Sequence, residues 1–398
     1  MIPSLPEIST IKFETNTPIE ERPLRIALLV DPLTMGTKGG DHAPEIAREL
    51  LSRGHQVRGF GAAPGAIPHS SDEPTDSDTP GLLSWKPDVL VAYDALSPTA
   101  WLGARIARKL DAGLVLVESG IEHPRRMHER ALQAIGERLW GRFVRRTANV
   151  LIALDQEAER LALAEGFPQA SIQTVTGGVD LERFRPGLSS ALIARHRIRG
   201  RILSYIGRLE DARGVNTLLH AFATTVGQRS DWSLVLSGEG EARVSLRAAA
   251  DRLGVSERVH FLGRLRQEEL PGLLGGSTLL AVPTLTAEVR GKQIIRAMSC
   301  GIPVLASDNH RLRSYVNPEE TGLLAKPGSA EEWKEIMQRA AGSPVARERW
   351  GQQAREQAVS RFGWASVAER FEHVLIQAIR SQASVRSQIN SSGAIEKT

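Results

Sequence analysis

The chain has one cysteine, Cys300, among 398 residues. A lone thiol excludes an internal disulfide and fits a reducing compartment. Aromatic residues make up only 5%. With no zinc-finger spacing and no RNA-binding aromatic motif either, nothing points to a nucleic-acid partner. No apolar run reaches the roughly 18 residues that a membrane-spanning helix needs. The opening stretch, MIPSLPEISTIKFETNTPIEERP, has no basic start and no apolar core. Residues 1–22 therefore read as a flexible lead-in, not a signal peptide. No metal site emerges. His123 and His128 lack a helical spacing for shared ligation, and Cys300 closes an apolar helix. His42 and His55 read as structural or solvent-facing.

What remains is a globular composition, 41% hydrophobic and 24% charged, with room for two or three domains. The formal charge is +4, and arginine dominates over lysine. The planar guanidinium fork suits phosphate. This balance by itself fits a phosphate-bearing small molecule, an anionic membrane surface or nucleic acid, and the missing motifs argue against the last.

LRIALLVDPL (24–33) is a short apolar run of the buried parallel-strand type. GGDHAPEIARELLSRGHQV follows it, with Ile46, Leu50 and Leu51 on one helical face and Gly54 as the stop. Residues 64–80 read as a surface loop. KPDVLVAYDAL, AGLVLVESG and ANVLIALD are further strand patterns, with helical stretches at 100–110 and 126–148. The pattern then restarts. Strands are expected at 200–210, 232–240, 258–265, 277–285 and 301–308, alternating with helices at 214–227, 241–253, 267–275 and 291–300. Two such series predict an α/β protein of two doubly wound, Rossmann-like domains, at 23–190 and 200–345, hinged near 186–200. Helices over 346–381 and a polar disordered tail, 382–398, complete the expected layout. In open α/β sheets ligands bind beyond the carboxyl ends of the strands, so the loops there are where chemistry is sought.

The runs YIGRLEDARGVNTLLHAF, LVLSGEGEARVSLRAAADRLGVSERVHFLGRL, AMSCGIPVLASD, ETGLLAKPGSAEEW and RFGWASVAERF resemble those of retaining GT-B glycosyltransferases of family 4 (glycosyl transferases group 1). GGDHAPEIARELLSRGHQV and GGVDLERFRP match landmarks of the same family in the first half. The resemblance is specific over 203–328 and weaker before residue 150. It implies the GT-B fold, two Rossmann-like domains facing across a cleft. The implied activity is metal-independent transfer of a sugar, with retention, from a UDP-, GDP- or ADP-sugar to an acceptor hydroxyl. Glycan, glycolipid or polysaccharide synthesis is the expected setting, with no cofactor. A cytoplasmic location follows, or a peripheral one at the inner membrane face.

Residue by residue, the resemblance implies that Arg208 and Arg213 hold the donor diphosphate, with Gly39, Gly40, Gly238, Arg264, Arg290, Gly291 and Lys292 around it. Two cations on a loop after a strand suit a diphosphate, although exposed arginines of no special role are the plainer reading. A helix starting near Gly291 would offer free N–H groups and a positive dipole end to an anion, with glycine allowing close backbone approach. Glu288 would touch the sugar at the reaction centre. Eight positions on, where the family has a glutamate for the ribose hydroxyls, stands Arg296, which can only donate. On the acceptor side the family histidine is replaced by Glu118, with His123 further on. Asp155, Gly177 and Ser314 are further departures. They leave open a non-catalytic GT-B protein that binds a nucleotide or a partner, and more distantly a sugar-nucleotide epimerase. HPRRMHERALQAIGERLWGRFVRRTAN is a basic helical stretch with two readings: a packed helix with a solvated face, or one lying on anionic membrane with Leu139, Trp140 and Phe143 inward.

Overall fold

A computed structural model describes residues 22–30, 42–61, 67, 79–95, 97–119, 137–188, 191–228, 231–286 and 291–395. Gly39, Gly40, His123, His128, Glu288 and Arg290 lie outside the described residues, as do 1–21. The chain divides into two compact units, Met1–Val175 with Arg370–Thr398, and Thr176–Glu369.

The first unit holds strands β1 (Arg25–Leu29), β2 (Gln56–Phe60), β3 (Val89–Tyr93), β4 (Gly113–Glu118), β5 (Val150–Ala153) and β6 (Ile172–Thr174). They form one sheet in the order β2-β1-β3-β4-β5-β6, with every pairing parallel. Crossover helices cover both faces of such a sheet, so its strands lose the polar alternation of a half-exposed one. All residues of β3 and β4 are accordingly buried. Local chemistry starts the helices. Ser97 accepts from the amide of Ala100 ahead of Pro98, and Asp155 accepts from Ala158 at 2.8 Å. These caps satisfy amides that a helix start leaves open. Asp155 thus has a structural role here.

The second unit holds β7 (Arg201–Ile206), β8 (Trp232–Ser237), β9 (Val259–Gly263), β10 (Leu279–Val282), β11 (Val304–Ser307) and β12 (Gly322–Ala325). Its sheet runs β12-β11-β10-β7-β8-β9, again parallel throughout. Trp232, Trp333 and Trp350 are its largest fully buried side chains. Buried Arg347 donates to the carbonyls of Ala340 and Ala341 at the end of helix Ala330–Gly342. It also lies over the Trp232 ring.

The two doubly wound sheets are those the alternation predicts, with differences at the margins. Strands β6 and β12 and helix Ala330–Gly342 join the expected elements. The units part at 175/176, ahead of the 186–200 segment, and Pro344–Gln357 belongs to the second unit. The last helix, Trp364–Ile395, runs through residues read as a disordered tail. Extending a helix already anchored by packing avoids a new nucleation step. The anchoring is to the first unit. Glu372 meets Arg53 at 2.6 Å and His55 at 3.0 Å. Gln382 donates to Asp111 at 2.8 Å and accepts from Asn149. Burial pushes the Glu372 carboxyl up, but the hydrogen bond and charge of Arg53, with His55, outweigh it and hold it below the usual range.

His42 is buried between Tyr93, whose hydroxyl lies 2.9 Å from Nδ1, and the Phe371 ring. Burial lowers its pKa from 6.5 to about 3. The folded unit therefore keeps the imidazole neutral where the unfolded chain takes up a proton. Stability from this source is complete above pH 6.5 and is lost as pH falls toward about 3. The slope is about 1.4 kcal/mol per pH unit. In urea titrations at pH 7, 5 and 4, His42→Gln should therefore lose less stability than the wild type between pH 7 and 4. Parallel losses would contradict the assignment.

Candidate functional site

In the second unit, connections from β7 run outward through β8 to β9, while β10 leads the other way through β11 to β12. The order reverses between β7 and β10, and such a switch point opens a crevice at the carboxyl ends of the strands. Two loops line it, Gly207–Gly214 after β7 and the segment from Pro283 after β10.

Backbone contacts join these loops. Leu285 donates its amide to Ala212 O at 3.0 Å. Gly214 has φ +66°, and a Cβ there would lie 1.9 Å from Pro283 O. Glycine is required both for the left-handed turn and for the space. The same holds one strand over, where Gly238 has φ +145° and a Cβ would lie 1.7 Å from Gly207 O. Further bonds run from Gly207 N to Ser237 O, Leu209 N to Glu239 O and Gly238 N to Gly263 O. Just before Gly238 the β8–β9 register slips, Leu236 pairing with Phe261 but Ser237 with Gly263. A slip of this kind ends pairing and re-aims the chain.

This framework brings the Arg208 loop, Gly238 and the end of β9, where Arg264 follows, side by side. Arg208 is exposed and meets Glu210 at 2.5 Å, and Arg213 is half-buried at the end of a single turn, Asp211–Arg213. Tyr205, which the sequence reading did not single out, donates its hydroxyl to Arg208 O at 2.6 Å. Burial raises its pKa and keeps it a donor, against a smaller lowering by Arg213. Across the switch point, Gly291 caps helix Lys292–Ser299, and Lys292 is exposed. Packing by itself requires a glycine there. Its φ is −62°, but a Cβ would lie 2.2 Å from the Tyr315 ring.

Arg296 is buried at 8% exposure, on the last turn of the same helix. Its guanidinium lies 5.0 Å from the Phe184 ring centre and donates to Gln267 at 3.3 Å and, more weakly, to Gln293. A stacked, delocalised cation of this type is one that buried sites accept. No pattern along the chain marks Phe184 or the two glutamines, which come from separate segments. Ser314 donates back to Arg311 O, a local turn bond. In the first unit, Glu118 ends β4 with its side chain buried, accepting from Ala95 N at 3.4 Å. Among the described residues no cluster of three His, Cys, Asp or Glu could hold a metal ion.

Residues 193–357 match the family model described as glycosyl transferases group 1. The chain carries a glycosyl transferases group 1 domain. The matched residues include the whole switch-point framework, from Tyr205 to Tyr315. The chain is similar, at 32% identity, to the D-inositol 3-phosphate glycosyltransferase of Saccharomonospora viridis, over 54% of this chain and 52% of that protein. D-inositol 3-phosphate glycosyltransferase 2 of Catenulispora acidiphila is 28% identical over 92% of this chain and 98% of its own length. The chain spans about half the length of other curated relatives that it matches. Among solved structures, Anabaena HepE in complex with UDP aligns with a TM-score of 0.66 at 19% identity, covering 88% of this chain and 99% of that one. A glycosyltransferase from Rickettsia africae aligns with a TM-score of 0.67 at 13% identity, over 90% and 99%. These likenesses show the fold, the GT-B class with two Rossmann-like units.

In the group 1 domain, Gly214→Ala should cost on the order of 3 kcal/mol or more, since no flexible side chain can give way. Gly342→Ala, where a Cβ meets nothing within 4 Å, should be neutral or stabilising by up to about 1 kcal/mol. Denaturant midpoints test the pair, and equal effects would mean that the loops are not in contact.

Proposed function

We propose that the protein transfers a sugar, with retention, from a nucleotide-diphosphate-sugar to an acceptor hydroxyl in glycan, glycolipid or polysaccharide synthesis. The observation that carries this is the stitched crevice at the β7/β10 switch point, with Arg208 and Arg213 on one loop and the Gly291 helix start on the other. In this reading the two arginines and the amides at Gly291 take the diphosphate. They stabilise negative charge growing on the departing nucleotide, the main demand when a sugar leaves. Gly39, Gly40, Gly238, Arg264, Arg290 and Lys292 complete the donor surroundings. Glu288 orients the sugar, and Glu118 and His123 are the acceptor-side candidates. Tyr205, by holding the Arg208 carbonyl, sets the loop from which Arg208 projects.

Thermal stability measured with UDP, GDP, ADP and dTDP and their sugars, without added metal, tests this directly. One nucleotide should raise the melting temperature, since a ligand at 100 times its Kd adds about 2.7 kcal/mol. Arg208→Ala and Arg213→Ala should each weaken that binding about tenfold or more, as losing a charge-assisted phosphate contact does, and leave the unliganded protein as stable as before. No shift with any nucleotide sinks the reading.

A second reading is a GT-B protein that binds a nucleotide without transfer. Arg296, held over Phe184 where the family has a carboxylate, favours it. A native protein that binds a nucleotide but transfers no sugar, set against an Arg296→Glu variant that does, would decide for it.

A further inference from the structure

The loop after β7 brings two cations to the crevice, but it brings two acids as well. Between Gly207 and Gly214 the charges of Arg208, Glu210, Asp211 and Arg213 cancel. A site for a diphosphate gains from positive charge, so acids on this loop need an account. Glu210 has a definite partner, its Oε1 lying 2.5 Å from Nη2 of Arg208. Glu239, the acid on the neighbouring loop after β8, is engaged elsewhere, accepting from Arg243 with both oxygens.

The backbone of this loop is fixed, while the ion pair on it is not. Leu209, between the two charges, is fully buried, donates to Glu239 O and accepts from Ala242 N at 2.9 Å. Tyr205 holds the Arg208 carbonyl from below. The Arg208 side chain, by contrast, keeps 57% of its surface exposed, and that of Glu210 keeps 25%. An ion pair so open to solvent is weak. Rotation of one side chain between staggered wells separates it without moving the backbone.

We propose that Glu210 is a displaceable counter-ion of Arg208 that makes the site favour the sugar-bearing donor over the free nucleotide left by transfer. The inference rests on the transfer reaction proposed above. In the unliganded protein Glu210 occupies Arg208. A diphosphate takes Arg208 over, because it accepts paired hydrogen bonds from the guanidinium and carries more charge than one carboxylate. Glu210 then stays beside the anion, tethered by the fixed backbone, and repels it. That repulsion grows with the charge of the occupant. When the bond between the sugar carbon and the diphosphate oxygen breaks, its electron pair stays on the oxygen, and the acceptor hydroxyl gives up its proton to water. The nucleotide thus ends with one more negative charge than the donor had, since a terminal phosphate with a second pKa of about 6 is largely ionised at neutral pH. Glu210 therefore opposes the product more than the donor.

Calorimetric titration of the full chain with UDP, GDP, ADP and dTDP, and with their glucose and mannose conjugates, tests the proposal on the wild type and on Glu210→Gln. Losing an exposed ion pair shifts an equilibrium by about fivefold at most. The nucleotide that the wild type binds should bind Glu210→Gln about fivefold more tightly, and its sugar conjugate only about twofold more tightly. Both gains should shrink at high salt. In an Arg208→Ala background the same substitution should gain less, since no pair is left to break. A merely structural role for Glu210 would move donor and product alike. An unchanged melting temperature without ligand shows that the variant is folded. Weaker or unchanged nucleotide binding by Glu210→Gln, equal gains for nucleotide and conjugate, or an undiminished gain without Arg208 overturns the proposal and leaves the transfer reading in place. No binding of any nucleotide by either protein overturns both.

Discussion

The close approach of backbone to backbone at the carboxyl edge of the second sheet is the constraint on which the candidate site depends. Gly214 lies against Pro283 O and Gly238 against Gly207 O at distances that exclude any side chain. Those contacts allow two loops from strands distant in sequence to share one crevice. The hydrogen bonds that run between them then satisfy amides and carbonyls that would otherwise need water. Arg208 and Arg213 take their positions from this framework.

Cations recur through the molecule, but the structure gives them different tasks. Arg347 closes the end of a helix and covers Trp232. Arg53 fastens the last helix to the first unit through Glu372. Arg296 is stacked on Phe184 within the second. Arg208 and Arg213 lie on the loop after β7, while Arg108, Arg138, Arg142 and Arg146 line a separate groove on the first unit. A single charge total conceals these roles, because what a guanidinium does is decided by the carbonyl, ring or carboxylate it meets.

Much of the fold was legible in the chain. Apolar runs such as VLVAY and GLVLVE lack alternation because parallel strands are buried on both faces. With helical segments between them, they predict two doubly wound sheets. The loop GRLEDARG and the helix start at Gly291 could also be placed, since each follows a strand. The short strands β6 and β12 were not seen, because β6 is IQT, with a single apolar residue, and β12 is GLLA, which opens on a glycine and follows a turn. The helical run to Ile395 was missed because its sequence is polar, and only its anchoring on the first unit shows why the helix is sustained.

The sequence by itself determined the α/β class, the doubled architecture and the residue types offered to a ligand, since these follow from local periodicity and from the chemistry of each side chain. Only the tertiary structure decided what those side chains touch. It gave Gly291 a packing role against Tyr315, buried Arg296 over Phe184 beside Gln267, made Tyr205 the support of the Arg208 loop, and gathered arginines from two helices into one groove. Each of these joins residues from separate segments, and no pattern along the chain encodes the distance between residues that meet only when the sheets assemble.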